Sequence, residues 1–205
     1  MNYCGIRATH LLLFALMVGC GPNRWVKKGD AYLSENRSDA AARSFQKALD
    51  KHPSNASALR GMAAAYLQRN EPIRAVVPAQ RAVKSGEPEA LRLLARALIQ
   101  TGRAKEAIPM LNKGIEDVPS NPAWRRLLVE ATLSAGEVAA AADLAGELKD
   151  FTQPRVLAMR AWAMSRAGRH DEATRIAMAL ITAEPEDAQA HTEAACMFRE
   201  AGQTG

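Results

Sequence analysis

Residues 22–55 decide the fold, and their sequence is PNRWVKKGDAYLSENRSDAAARSFQKALDKHPSN. Two stretches rich in small and apolar residues stand on either side of Asn36, and Pro53 follows the second stretch. Asparagine is one of the residues that readily take the left-handed backbone conformation at which helices end. Proline stops a helix because it lacks an N–H donor. We therefore predict two helices joined by a short turn, which together make a helical hairpin.

The hairpin pattern recurs along the chain in steps of 32 or 34 residues. The segments that repeat it begin at Pro22, Ala56, Pro88, Pro122, Pro154 and Ala188. Counted from these starts, position 15 is always glycine or asparagine, namely Asn36, Asn70, Gly102, Gly136, Gly168 and Gly202. Position 20 is alanine in the five complete segments, at Ala41, Ala75, Ala107, Ala141 and Ala173. A small residue at position 20 lets the second helix cross the first at close range. One hairpin cannot bury its apolar face alone, so we predict an all-α stack of hairpins.

The repeat resembles the tetratricopeptide (TPR) family. The first segment carries the family's signature residues at Trp25, Gly29, Tyr32, Ala41, Phe45, Ala48 and Pro53. The resemblance implies a right-handed superhelical solenoid with about 11 helices. The predicted repeats lie near 22–55, 56–87, 88–121, 122–153 and 154–187, followed by a C-terminal capping helix at 188–202.

The N-terminus is predicted to be a targeting signal rather than part of the fold. Arg7 precedes an apolar run of about eight residues, which is too short to span a bilayer. The residues that end at Cys20 resemble a bacterial lipobox, in which the cysteine is acylated and the preceding peptide is removed. The alternative is an ordinary cleaved signal with a chance cysteine. The resulting domains are a signal peptide at 1–19, a lipidated N-terminus and short tether at 20–24, and a TPR array at 22–205.

The residue after the cysteine bears on localisation. It is Gly21 rather than the aspartate that favours inner-membrane retention in enteric lipoproteins. The resemblance therefore implies lipid anchoring at the inner leaflet of the outer membrane, facing the periplasm.

Composition and motifs give no indication of chemistry. The chain is 48% apolar but 5% aromatic, and its formal charge of +5 comes from mixed charges without a basic run, which argues against nucleic-acid binding. His52, His170 and His191 are scattered and lack metal-ligand spacing with Cys196. No phosphate-binding loop or paired catalytic carboxylates occur. We therefore predict no enzyme activity, no cofactor, no metal site and no small-molecule substrate.

In TPR arrays the first helix of each hairpin lines a concave groove, which implies candidate ligand contacts here. Position 12 predicts an aliphatic stripe at Leu33, Leu67, Ile99 and Leu133. Position 5 predicts an arginine ladder at Arg60, Arg92 and Arg126. Neighbouring positions add Arg96, Trp162 and Arg166. Such a groove suits an extended or helical segment with apolar anchors and carboxylates, because the planar arginine fork pairs bidentately with carboxylates. The alternative is that the aliphatic residues are inter-repeat core and the arginines are only solvated.

A short TPR array close behind an acylated cysteine is similar to pilotin-type lipoproteins and tight-adherence pilus assembly lipoproteins. The resemblance implies a scaffold whose partner is an envelope protein, namely a secretin, pilus or export component. Two alternatives stay open, a scaffold in exopolysaccharide export and a regulatory subunit of an envelope enzyme.

Overall fold

A computed structural model describes residues 22–87, 89–119 and 121–183, together with the isolated residues 186 and 192. Over these residues the chain forms ten α-helices and no strand. They are α1 (Pro22–Ser34), α2 (Ser38–Lys51), α3 (Ala56–Gln68), α4 (Pro72–Lys84), α5 (Ala90–Gln100), α6 (Ala104–Asp117), α7 (Pro122–Ser134), α8 (Val138–Gly146), α9 (Pro154–Arg166) and α10 (His170–Ala183). The count is close to the predicted 11. The signal peptide and Cys20 lie outside the described residues, and so does the predicted capping helix at 188–202 except for the isolated residue 192. None of the helices in these ranges is long and apolar enough to cross a bilayer.

The turn inside each hairpin is closed in the same way five times. At the first turn, Asn36 has a φ of 58°, and its N–H donates to the carbonyl of Leu33 at 3.1 Å. The next N–H, of Arg37, donates to the carbonyl of Tyr32 at 2.8 Å. These two bonds satisfy carbonyls at the end of the helix that have no partner within it. Positive φ recurs at the equivalent residues Asn70, Gly102, Gly136 and Gly168. The prediction from position 15 is confirmed at these five turns.

The chain divides into two compact units, the first ending at Leu94 and the second beginning at Ala95. In the first unit α1 packs on α2, α2 on α3 and α3 on α4, and α1 also lies beside α3. In the second unit α6 packs on α7, α7 on α8, α8 on α9 and α9 on α10, and α7 also lies beside α9. In each unit, therefore, the first helices of successive hairpins are neighbours. That arrangement is the stacking expected of hairpin repeats.

The alanines at position 20 are buried, as the close crossing of the helices requires. Their exposed fractions are 0% or 1% at Ala41, Ala75, Ala107, Ala141 and Ala173. A larger side chain at such a site would need the two helices to move apart, because protein interiors leave few voids. The role predicted for position 20 is therefore confirmed.

One aromatic ring organises the core of the first unit. Phe45 of α2 is fully buried, and its ring lies against the backbones of Gly29 in α1 and Gly61 in α3. A Cβ at either glycine would overlap that ring. A similar contact occurs in the second unit, where Gly114 of α6 lies against the Trp124 indole. The glycines thus make room for large side chains.

The fourth hairpin has the shortest second helix. Helix α8 has 9 residues, whereas α2 has 14. Turn residues follow Gly146 before α9 begins at Pro154. Leu148 and Phe151, which lie beyond the helix end, still pack into the core that contains Ala141, Ala142 and Ala145. The chain therefore buries apolar side chains after the helix has ended.

Candidate partner-binding surface

The aliphatic stripe lies mostly in the core. The exposed fractions of Leu67, Ile99 and Leu133 are 9%, 6% and 8%. Leu33 is half-buried against the core cluster that contains Phe45. This burial leaves little of the first three side chains for a ligand and fits the inter-repeat core alternative. The backbone of Leu33 has another contact, because its carbonyl accepts a hydrogen bond from Gln68 Nε2 at 3.2 Å.

Arg60, the first residue of the arginine ladder, joins two other elements of the first unit. Its Nη2 lies 3.1 Å from Asp30 Oδ1 on α1, and its Nε lies 3.1 Å from Glu87 Oε1 after α4. The three side chains are between 21% and 42% exposed. Arg60 thus holds together the faces of α1 and α3, and its charge is already balanced by two carboxylates.

The other two ladder residues also have carboxylate partners on their own helices or next to them. Arg92 pairs with Glu89, three residues earlier. Arg126 Nη1 lies 3.6 Å from Glu130 Oε2 one turn later on α7, and both side chains are about one quarter exposed. Ion pairs at such exposure contribute about 0–1 kcal/mol each, so a ligand carboxylate could replace the internal one at little cost.

The most accessible of the predicted contacts are Arg96, Trp162 and Arg166. Arg96 is exposed on α5, and Arg166 is exposed at the end of α9. Trp162 stands one turn before Arg166 and is 37% exposed. Residues four apart lie on one face of a helix. Within the described ranges neither arginine forms an ion pair. The last turn of α9 therefore presents an indole beside an uncompensated guanidinium.

The carboxylates that balance the ladder were not predicted as part of the site. Asp30 and Glu130 both occupy position 9, and their arginine partners occupy position 5. Position 5 of one helix faces position 9 of its neighbour or lies one turn from position 9 of its own helix. The sequence signal for these ion pairs was an arginine at position 5 together with a carboxylate at position 9. Assigning each arginine to its carboxylate also requires knowing which helices are adjacent.

The described residues hold no group of three or more histidine, cysteine, aspartate or glutamate side chains that could bind a metal ion.

Arg160 on α9 is partly buried, and this burial lowers the pKa of its guanidinium. Its Nε donates a hydrogen bond to the carbonyl of Ala145 at 3.1 Å. That bond ties α9, the first helix of the fifth hairpin, to α8 of the fourth. Arg160 is therefore a structural residue rather than a ligand contact.

Hairpins whose first helices lie side by side define a helical-repeat protein. Profiles of the tetratricopeptide repeat family match residues 26–90 and 79–130, which together span about half of the chain. The chain belongs to the tetratricopeptide repeat family, whose members are in general protein interaction scaffolds. A search of curated protein sequences found no match.

Solved structures extend the likeness in fold to most of the chain. A thermophilic TPR protein from Thermus thermophilus is similar with a TM-score of 0.72 and 18% identity, covering 87% of this chain and 100% of that one. PilF of Pseudomonas aeruginosa is similar with a TM-score of 0.69 and 19% identity, covering 89% and 85%. YrrB, described as a TPR protein with an unusual peptide-binding site, has a TM-score of 0.60 and 17% identity, covering 82% and 89%. At these identities the likeness is one of fold.

Proposed function

We propose that this protein is a scaffold of the bacterial cell envelope, held at the inner leaflet of the outer membrane by acylation of Cys20, and that it binds a segment of a protein partner. The family supports the scaffold role, since tetratricopeptide arrays bind proteins rather than catalyse reactions. The lipobox-like residues before Cys20 support the anchor. Each buried CH₂ of an acyl chain contributes about 0.8 kcal/mol, so several chains on one residue hold a protein firmly at a bilayer.

The observation that carries the binding proposal is the pair formed by Trp162 and Arg166 on α9. Large amphipathic tryptophans and arginines are the residues in which binding energy concentrates at protein interfaces. The indole supplies apolar area, and the guanidinium offers a bidentate partner for a carboxylate. On the neighbouring helix α7, Arg126 and Glu130 offer a second, exchangeable ion pair. The segment that suits this surface carries an apolar anchor next to an acidic residue.

We further propose that the partner is a component of a pilus or secretin machine. The likeness in fold to PilF supports this assignment, together with the short distance in sequence between Cys20 and the first repeat. Export of an exopolysaccharide is a second candidate, because Trp162 offers an exposed ring on which a sugar could stack.

The anchor is tested by replacing Cys20 with serine. Metabolic labelling with a fatty-acid analogue should mark the wild-type chain and leave the C20S chain unmarked, and only the wild type should float with outer-membrane vesicles. Labelling that persists in C20S would reject the lipid anchor.

The binding surface is tested by reversing charge at Arg166 and, separately, at Lys113, which is exposed on α6. Partner capture from cross-linked intact membranes should fall about tenfold or more with R166E, since a charge-assisted pair is replaced by repulsion. The K113E control should capture as the wild type does. Equal capture by both variants would remove Arg166 from the site.

The machine is identified by deleting the gene. A secretin partner predicts that heat-stable secretin multimers disappear from the outer membrane. Loss of capsule or biofilm matrix with intact multimers would instead favour polysaccharide export.

A further inference from the structure

The first hairpin carries a concentration of cations around aromatic rings. Three cations surround the Trp25 indole, with Arg24 at 5.0 Å, Lys28 at 5.9 Å and Lys47 of α2 at 4.7 Å from the ring centroid. Lys28 also lies 5.6 Å from the ring of Tyr32. We call these five residues the basic–aromatic face. Arg24, Lys28 and Lys47 are exposed, and the two rings are half-buried.

No ion pair of Arg24, Lys28 or Lys47 occurs in the part of the chain that the structure describes. Three of the four carboxylates of this hairpin pair with arginines outside the face, and the fourth, Asp50, accepts a hydrogen bond from Gln46 at 2.8 Å. The three ion pairs are Asp30 with Arg60, Glu35 with Arg37 and Asp39 with Arg69. The first turn of α1 also contains no acidic residue, so the positive end of the helix dipole adds to the same charge.

The charge of the sequence is polarised along the chain in the same sense. Residues 22–119 contain 17 basic and 10 acidic residues, whereas residues 120–205 contain 9 basic and 12 acidic ones. The excess of positive charge thus lies in the part of the sequence nearer to Cys20. A chain attached at that end to an anionic surface would have its basic part attracted and its acidic part repelled.

The face also lies close in sequence to the proposed anchor. Helix α1 begins at Pro22, so Trp25 stands in its first turn, and only Gly21 separates Cys20 from the helix. Consecutive Cα atoms are at most about 3.8 Å apart and helical residues rise about 1.5 Å each, so Trp25 lies within roughly 15 Å of Cys20. Aromatic rings flanked by lysine and arginine are what proteins present to the headgroup region of a bilayer, and long basic side chains reach the phosphates while their stems stay against apolar surface.

We propose that the basic–aromatic face binds a bilayer surface that carries anionic phospholipid headgroups and so fixes the orientation of the first hairpin at the membrane. This inference rests on the proposed acylation of Cys20, which brings the face to the membrane. Each lysine near an anionic surface contributes about 1 kcal/mol, which corresponds to about a fivefold change in occupancy.

The test is a lysine footprint on the acylated chain, purified from membranes and reconstituted into vesicles. One set of vesicles is phosphatidylcholine alone, and the other contains phosphatidylglycerol as well. Limited amine labelling, measured at each lysine by mass spectrometry, should fall about fivefold at Lys28 and Lys47 in the anionic vesicles only. The exposed lysines Lys105 and Lys113 should label equally in both sets. At about 1 M salt, where the Debye length is about 3 Å, the protection should disappear.

Matched variants sharpen the footprint. Lys28→Gln should reduce the protection of Lys47 about fivefold, whereas Lys113→Gln should leave it unchanged. Both lysines are exposed, so neither change should unfold the chain, and a thermal melt checks this. Equal labelling of Lys28 and Lys47 in the two kinds of vesicle would overturn the proposal. Protection in intact cells but not in anionic vesicles would assign the face to a protein and would equally overturn it.

Failure of the anchor is distinguishable from failure of the face. If Cys20 carries no acyl chain, the same footprint is measured on the unacylated chain mixed with the two sets of vesicles. Protection of Lys28 and Lys47 in anionic vesicles would then support the face without the anchor. Absence of protection there would overturn it.

Discussion

The first and fourth hairpins fill the space between their helices with side chains of different sizes. In the first, the large Phe45 of α2 faces glycine on both neighbouring helices. In the fourth, the equivalent residue of α8 is Ala145, which shares a core cluster with Val129 of α7 at the position that corresponds to Gly29. Phe45, Ala145 and Val129 are all fully buried. The comparison indicates that the hairpin repeat preserves the volume between its helices rather than the identity of any one residue.

The largest expected effect on stability comes from removing the Phe45 ring from the core of the first hairpin. Phe45→Ala should lower the free energy of unfolding by about 3–5 kcal/mol, because the cavity opens against two glycines that offer no side chain to fill it. Urea denaturation followed by circular dichroism measures the change. A loss below about 1 kcal/mol would mean that the ring does not organise this core.

A smaller effect comes from overfilling the same site. Gly61→Ala should destabilise the chain by about 1–3 kcal/mol, since its Cβ would overlap the Phe45 ring. The penalty should shrink in a Phe45→Leu background, which is measured by a double-mutant cycle.

The matched control is Gly146→Ala in the fourth hairpin, where the new Cβ would meet only Met164 Cε at 4.0 Å. Because Gly146 is the last residue of α8, that change should be nearly neutral or should stabilise the chain by at most about 0.5 kcal/mol, since alanine favours a helix over glycine. Similar destabilisation by the two substitutions would contradict the volume argument.

The turns of the two hairpins provide a third test. A substitution that adds a Cβ at positive φ should lower the stability, and one that removes the side chain there should not. Gly136 of the fourth hairpin has a φ of +85°, where a Cβ is strained, so Gly136→Ala should cost about 1–2 kcal/mol. Asn36→Gly at the same position of the first hairpin should be nearly neutral, since both residues tolerate its φ of 58°. Thermal melts of the two variants measure the difference. An equal loss from both would show that something other than backbone strain holds the turns.

The smallest expected effect concerns an ion pair that the first and fourth hairpins lack. In the third hairpin Arg103 donates to both carboxylate oxygens of Glu106 at 2.7 Å, and these hydrogen bonds lower the pKa of Glu106. The equivalent residues of the first and fourth hairpins are Ala40 and Ala140.

A lowered pKa in the folded state means that the pair stabilises the fold above the usual pKa of a glutamate. That contribution is lost as the pH falls through the folded pKa. Arg103→Gln should therefore raise the pKa of Glu106 towards its ordinary value, as followed by NMR titration of the carboxyl group. An unchanged titration would mean that the pair does not persist in solution.

Features that depend on a single residue were predictable from the sequence. A glycine or asparagine at position 15 indicates a turn because it readily adopts a positive φ. An alanine at position 20 indicates a close helix crossing because its side chain is small. The partners of Arg60 were not predictable in this way, because they come from α1 and from the segment after α4. The early end of α8 also escaped prediction, since the alanine-rich sequence there favours a longer helix. The exposure of the leucine stripe depends on how closely neighbouring helices pack, which no single position encodes.

We predict above all that the face of α9 that carries Trp162 and Arg166 binds a protein partner at the membrane. The most direct measurement places a photo-crosslinking amino acid at residue 162 on α9 and, in a second strain, at residue 113 on α6, and irradiates intact cells. We predict one discrete adduct with an envelope protein from residue 162 that is lost when Cys20 is replaced by serine, and no such adduct from residue 113. Identical adducts from both positions, or none from residue 162, would contradict the claim.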